Sequence, residues 1–379
     1  MRKLMIMAVV MTALFAFPLM ADTFEIPVSG KSQLALTNQS ADQLNFHVQV
    51  GDLKAMEVET SEGTFTRLML PGFHSSKVEG SPELPMLNKL IAVPFGSEVS
   101  VDVQVSAWRE INLSDFGVRW PLMPAQPSMP KNVEPSAWPF VIDHSAYTDD
   151  RTAVETARVV DFNRLRAVDF ARLEVSPVQY SPTRGTLRVA ESMDITVNFI
   201  GADYAAGQEL MAKTNSPFFD HIYASFAGSR GMHDDNPDVV SDQVTMVIIT
   251  PSQFEYTLAD FVQWKTERGF NVVVGVIGTP EVGATTSSIE SYINDLYNNA
   301  TPQLPAPSFV LFVGDVAQMP TFSESGDATD RPYCAVDGDL IPDIYYGRFS
   351  ATNTSQLQAI IDKTMMYEQF TMPDPSYLG

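Results

Sequence analysis

Three aspartates fall within seven residues in Asp337-Gly338-Asp339-Leu340-Ile341-Pro342-Asp343. In an extended segment, side chains two apart share a face, so the three carboxylates would crowd one side. Crowded like charges raise one another's pKa or recruit a cation. Calcium takes about 6–8 oxygen ligands, mixing carboxylates with backbone carbonyls. The expected shell is Asp337, Asp339, Asp343 and the Ile341 carbonyl, with Asp315 approaching from the end of the apolar run Phe309–Val313. A solvated acidic turn is the competing reading. The segment is no EF-hand loop, because the required Gly and terminal Glu are out of place.

Other chemistry is sparse. Cys334, the single cysteine, lies between Pro332-Tyr333 and Ala335 and reads as a packed, inert thiol rather than a nucleophile. One cysteine also excludes an internal disulfide framework and a CxxC metal site. The five histidines, His47, His74, His144, His221 and His233, all precede residue 244. Beyond it, neither a Cys–His dyad nor a Ser–His–Asp triad can assemble from this chain alone. His47 and His144 read as structural, His221 and His233 as solvated. No GxGxxG or P-loop follows a strand, so a nucleotide site has no support. A net charge of −22 leaves no basic face for nucleic acid.

The elements that must position these residues change character along the 379-residue chain, which is 45% hydrophobic and long enough for two or three domains. Residues 1–21 read as a signal peptide: Arg2-Lys3, an apolar run from Leu4 to Met20, then the small Ala21. The expected destination is secreted, extracellular or cell-surface, with no stable membrane span. Residues 22–201 alternate at period two in Leu44–Val50, Ser100–Val105 and Met193–Ile200, predicting an antiparallel β-sandwich. Gln179–Val189 predicts a hairpin, and the proline-dense Trp120–Pro139 a long excursion.

Residues 202–242 read as a linker with a short helix near Ala205–Ala212, and Arg230 is its candidate processing site. Residues 243–379 alternate strand and helix. Val244–Thr250, Asn271–Ile277, Phe309–Val313 and Asp343–Arg348 are the expected strands. Ser252–Arg268, Thr285–Asn299 and Ser355–Gln369 are the expected helices, the second capped by Ser287 with Glu290. This order predicts an α/β unit with a parallel sheet and helices on both faces.

The chain resembles the gingipain family of caspase-like cysteine endopeptidases. The resemblance rests on Val247-Ile248-Ile249-Thr250, on Trp264-Lys265 with Arg268-Gly269-Phe270 and Val272, and on Ser288-Ile289 with Tyr292-Ile293. It continues through Phe309–Asp315, Pro320-Thr321-Phe322, Thr329-Asp330, Ala335–Asp339, Pro342-Asp343-Ile344 and Gly347–Ser350 to Asp362-Lys363-Thr364 with Tyr367-Glu368. Gly80–Pro85, Ala92-Val93-Pro94 and Pro177–Tyr180 are similar to the family's propeptide.

The resemblance implies a signal peptide, an inhibitory prodomain that contacts the catalytic domain, and the first of two caspase-like subdomains. It implies structural calcium around Val336 to Asp343, which adds Val336 to the candidate ligands. It also places the catalytic histidine, cysteine and acidic helper in a second subdomain beyond Gly379. No catalytic residue is therefore assigned, and protein or peptide substrates would engage that missing part. The expectation is the N-terminal part of a secreted cysteine-type endopeptidase zymogen, inactive by itself. The alternatives are a non-catalytic calcium-binding surface or adhesion module and a sortase-like processing member of the same family.

Overall fold

The computed structural model describes residues 23–134, 137–148, 155–229 and 244–372. The expected signal peptide, Arg230 and His233 lie outside the described residues.

Period-two alternation builds the N-terminal part, handing one face of each strand to the core and the other to water. In chain order the strands are β1 (Thr23–Ile26), β2 (Gln33–Gln39), β3 (Gln43–Gln49), β4 (Leu53–Thr60), β5 (Gly63–Met69) and β6 (His74–Ser75). They continue as β7 (Pro85–Val93), β8 (Glu98–Asn112), β9 (Ala157–Leu165), β10 (Val168–Val175), β11 (Val178–Ser181) and β12 (Thr186–Ile200). β3 shows the rule: Leu44, Phe46 and Val48 are buried, while the residues between them stay partly exposed.

The strands divide among three antiparallel sheets: β1-β4-β5, β6-β7-β10-β9, and one in which β12 pairs β3, β8 and β11. Phe46, Val48, Ile195 and Val197 lie in their common core. The hairpin expected in Gln179–Val189 forms, with Ser181 opposite Thr186.

The segment read as a linker is packed structure as far as it is described. Helix α1 (Tyr204–Thr214) starts at Asp203, whose side chain accepts from the Ala206 amide at 3.0 Å. After the short α2 (Asp220–Tyr223), the chain runs beside β7, where the Ala227 amide donates to the Leu90 carbonyl. Phe219, Tyr223 and Phe226 are buried with Leu165, Val168 and Phe170. Aromatic side chains at this density hold the segment down by apolar burial.

In the α/β part, β13 (Val244–Pro251), α3 (Ser252–Glu255), α4 (Ala259–Glu267), β14 (Phe270–Ile277), α5 (Thr286–Asn298) and β15 (Phe309–Val313) follow in order. A hairpin of β16 (Phe322–Glu324) and β17 (Asp327–Thr329) precedes β18 (Tyr345–Phe349) and α6 (Thr354–Glu368). The four-stranded sheet β14-β13-β15-β18 is parallel throughout. β13 is buried on both faces. Val247 and Ile249 meet Ile289 and Ile293 of α5, whereas Met246 and Ile248 meet Phe254, Phe261 and Leu357 on the other side.

Three expectations are corrected here. The helix expected over Ser252–Arg268 is two, α3 and α4, with Leu258 buried where they meet. The cap of α5 is Thr285 rather than Ser287: its hydroxyl accepts from the Ser288 amide, and the Ser288 hydroxyl accepts from the Thr285 amide. The last strand begins at Tyr345, not Asp343. The β16–β17 hairpin was not expected at all; it turns on Ser325 and Gly326, both at positive φ, the turn geometry that matches strand twist. Among the described residues no helix is long and apolar enough to cross a membrane.

Candidate functional site

Between the 3₁₀ turn Arg331–Cys334 and β18 the chain makes consecutive turns, with Gly338 at φ +80°. The extended segment that would align three carboxylates is therefore not formed. Asp343 points inward and has no exposed surface. Its Oδ1 accepts from the Arg166 amide at 2.8 Å, and its Oδ2 from the Val336 amide at 2.9 Å and the Asp337 amide at 3.4 Å. Burial raises its pKa, while these three amides oppose the rise. Asp339 closes a local turn, Oδ1 accepting from the Ile341 amide at 2.7 Å, and its Oδ2 accepts from the Arg164 amide at 3.3 Å. Asp337 keeps an exposed outline, but the atoms crowding its carboxyl and then the Asp343 charge push it up to about 7.

Asp315 does not join this group. β15 and β18 run parallel, pairing Phe309 with Tyr345 and Val313 with Phe349. Asp343 precedes β18 and Asp315 follows β15, so they occupy opposite ends of the sheet, on the order of 20 Å apart at strand rise. Asp315 instead accepts from the Val316 amide at 2.9 Å and the Ser350 hydroxyl at 3.2 Å.

By donor type, Asp337, Asp339, Asp343 and the Ile341 carbonyl suit a hard cation. By aim they do not form a ready-made cage, since both oxygens of Asp339 and of Asp343 are turned to backbone amides. Among the described residues no three His, Cys, Asp or Glu side chains converge as a metal site. Val336 contributes its amide, as a donor to Asp343.

What covers the acidic loop is the turn of the β9–β10 hairpin, a feature the sequence reading missed. Arg166 is 1% exposed. Its Nε donates to the Thr214 carbonyl at 2.7 Å and its Nη1 to the Pro307 and Asp343 carbonyls at 2.7 and 2.8 Å. Nη2 reaches the Ala306 carbonyl at 3.2 Å. The guanidinium also lies 4.9 Å from the Phe219 ring centroid and 5.4 Å from that of Tyr297. Arg164 is held by a two-pronged pair to Asp169 at 2.5 and 3.1 Å. The available signal was a departure from turn chemistry: Leu165-Arg166-Ala167-Val168 reverses direction without Gly, Asn or Asp.

At the carboxyl end of the sheet, where open α/β folds gather ligands, Arg348 grips Asp330 with Nη2–Oδ1 at 2.6 Å and Nε–Oδ2 at 2.8 Å. Its Nη1 donates to the Gly314 and Met319 carbonyls at 2.8 and 3.0 Å. The Thr321 hydroxyl adds a bond to Asp330 at 3.0 Å. This network ties the β15 and β18 ends to the β16–β17 excursion.

Cys334 is fully buried among Phe312, Tyr333 and Ile344. Burial, with the charges of Asp330 and Asp343, raises its pKa far above the ordinary thiol range, so it stays a thiol and not a thiolate nucleophile. His47 sits on β3 with its Nδ1 2.7 Å from Asp194 on the neighbouring β12, a cross-strand pair on the surface. His221 lies beside Phe218, Phe309 and Tyr345 at an open hollow of about 460 Å³.

Comparison with known proteins accounts for both parts. Residues 30–223 match the family model Propeptide_C25, and residues 240–378 match Peptidase family C25. Lys-gingipain of Porphyromonas gingivalis is 34% identical over 382 residues, spanning all of this chain and 22% of that protein. Gingipain R2 of the same organism is 27% identical, spanning 92% of this chain and 46% of its own length. The chain thus covers less than half the length of these relatives.

Among solved structures, one titled for the zymogenic latency of gingipain K from Porphyromonas gingivalis is 33% identical, at a TM-score of 0.45, covering 48% of this chain and all of its own. A complex of Porphyromonas gingivalis RgpB pro- and mature domains is 22% identical, at a TM-score of 0.44, covering 52% of this chain and 98% of its own. With a propeptide match over half its residues, a peptidase match over most of the remainder and a relative 34% identical along its whole length, the chain belongs to peptidase family C25, the gingipains.

Proposed function

We propose that this chain is the N-terminal part of a secreted cysteine-type endopeptidase zymogen. The antiparallel sheets are its prodomain, and the α/β part is the first subdomain of its peptidase. The observation that carries the reading is the order of the two family matches, propeptide before peptidase, on a chain whose β9–β10 turn is seated against the acidic loop of the α/β part. The chain by itself is proposed to be inactive, because Cys334 is a buried thiol and every histidine precedes residue 244. General-base activation of a thiol needs a partner within hydrogen-bond reach.

Two measurements test this. Purified chain should show no thiol-dependent peptide hydrolysis; turnover lost in Cys334→Ala would overturn the inactivity. Reading the gene beyond codon 379 tests the endopeptidase: a Gly-His-Gly-type strand end followed by a cysteine supports it. Their absence favours a non-catalytic surface module instead.

Calcium at Asp337, Asp339 and Asp343, with the Ile341 carbonyl, is a separate proposal, supported by the oxygen donor set and by the raised pKa of Asp337. A ligand bound only to the folded chain stabilises it by about 2.7 kcal/mol at a hundredfold excess over its dissociation constant. Chelation should lower the melting temperature, and Asp339→Asn should blunt that effect. Equal melting with and without calcium in both proteins would leave only an acidic turn. Residues 1–21 as a signal peptide and cleavage after Arg230 complete the zymogen reading. N-terminal sequencing of exported and processed protein tests both.

A further inference from the structure

Arg166 is an unusual residue for its position. It takes the first place of a two-residue turn at φ +58°, a backbone region that favours Gly or Asn. Buried arginines are rare unless paired, and here the pairing comes from other parts of the chain. Its five hydrogen bonds go to Thr214 at the end of α1, to Ala306 and Pro307 ahead of β15, and twice to Asp343 ahead of β18. None goes back into β9 or β10.

The acceptors explain the choice of side chain. Thr214 is the last residue of α1, where the helix dipole favours a positive charge. The other carbonyls precede two neighbouring parallel strands and converge on one point. Only a planar fork with several fixed donors serves them together, and lysine, a point charge on a flexible stem, does not. Strained backbone persists where the surroundings over-determine it; at residue 166 four of the five bonds come from the α/β part, while Thr214 lies before the expected cut at Arg230 and stays with the N-terminal piece.

We propose that Arg166 is the latch by which the N-terminal sheets stay bound to the α/β part, holding the two together when the chain between them is cut. The proposal deepens the zymogen reading by naming the residue on which prodomain retention turns. Its test needs no peptidase activity, so failure of the latch and failure of that reading are distinguishable.

The test is hydrogen exchange on the full chain, read at the amide of residue 166, whose acceptor is Asp343 across the contact, and at the β12 amides, which report the integrity of the sheets. Arg166→Ala and Arg166→Gly should each speed exchange at residue 166 at least tenfold while β12 stays slow. The glycine variant removes backbone strain as a cause. Arg166→Lys should fall between them and the parent. Arg172→Ala, which breaks pairs to Asp161 and Glu174 within the sheets, should leave residue 166 protected. A residue 166 amide as slow as the parent's in both the Ala and Gly variants would overturn the proposal. So would β12 amides that speed up in step with it, since Arg166 would then support the sheets rather than the contact.

Discussion

Replacing Arg348 by Met removes the guanidinium and keeps most of the stem. The structure sets the size of the effect. Four hydrogen bonds are lost: two to Asp330 at 2.6 and 2.8 Å, and one each to the Gly314 and Met319 carbonyls at 2.8 and 3.0 Å. Bonds to charged groups contribute about 1.5–3 kcal/mol each, but the desolvation of arginine offsets much of that sum. Breaking a buried pair from one side typically costs about 3–5 kcal/mol, because the other charge is left uncompensated. The two side chains keep 15% and 13% of their surface, which points to the lower end, about 3 kcal/mol. Asp330→Asn should cost less, since an amide oxygen still accepts from Arg348. The double variant should cost less than the two singles together, by about 1 kcal/mol or more.

The assay is hydrogen exchange in rising urea at the Gly314 and Asp315 amides, which donate to the Phe349 and Ala351 carbonyls beside this network. These amides report the α/β sheet alone, so the N-terminal sheets do not blur the transition. A cost below about 1 kcal/mol for Arg348→Met, with additive singles, would put the pair in the class of exposed ion pairs and refute the reasoning.

Asp337 holds its proton up to about 7 in the folded chain, against an ordinary 3.8. Between those values the folded state binds the extra proton, so in chelator its contribution to stability is lost as pH rises from about 4 to about 7. Asp337→Asn should flatten that slope in urea titrations across the window; an unchanged slope would sink the assignment. Gly283 lies at φ +70°, and a Cβ there would stand 2.3 Å from the Ser288 hydroxyl and 2.5 Å from its Cβ. Gly283→Ala should therefore disrupt the α5 cap and strain the backbone, costing together about 2–3 kcal/mol. A thermal midpoint within about a degree of the parent would refute it.

The parallel sheet was legible because β13 is apolar at almost every position, which only a strand covered on both faces sustains. β3 and the Met193–Ile200 half of β12 were legible because their alternation is strict. Local competition blurred finer detail: Thr285 and Ser287 both suit a helix cap, and only the chain path through Gly283 selects Thr285. The acidic loop was misdrawn because carboxylate spacing carries meaning only once the backbone is known to be extended, and here Gly338 turns it. Asp315 looked close because Gly314-Asp315 ends one strand and Asp343 comes shortly before the next. Parallel pairing puts strand starts together and strand ends together, so the two aspartates are held apart. Arg166 was invisible for a different reason. Its acceptors at Pro307 and Asp343 lie 141 and 177 residues away, and no local pattern encodes a contact of that range.

β12 sets a clock for the N-terminal sheets. Its partners β3 and β8 come earlier in the chain, and Thr196 meets Asn45 across 151 residues. During synthesis at about 5–20 residues per second, β3 waits roughly ten to thirty seconds before its central neighbour exists. Its edge toward β12, the backbone from Gln43 to Gln49, has no partner for that interval. Non-local pairing of this kind is also slow to form once the strands are present. The α/β part needs shorter loops, its neighbouring strands β13 and β14 being separated only by α3 and α4. The part made first is thus the one whose strands pair across the longer stretch of chain. The earliest strands made depend most on whatever keeps an unfinished sheet from pairing with another chain.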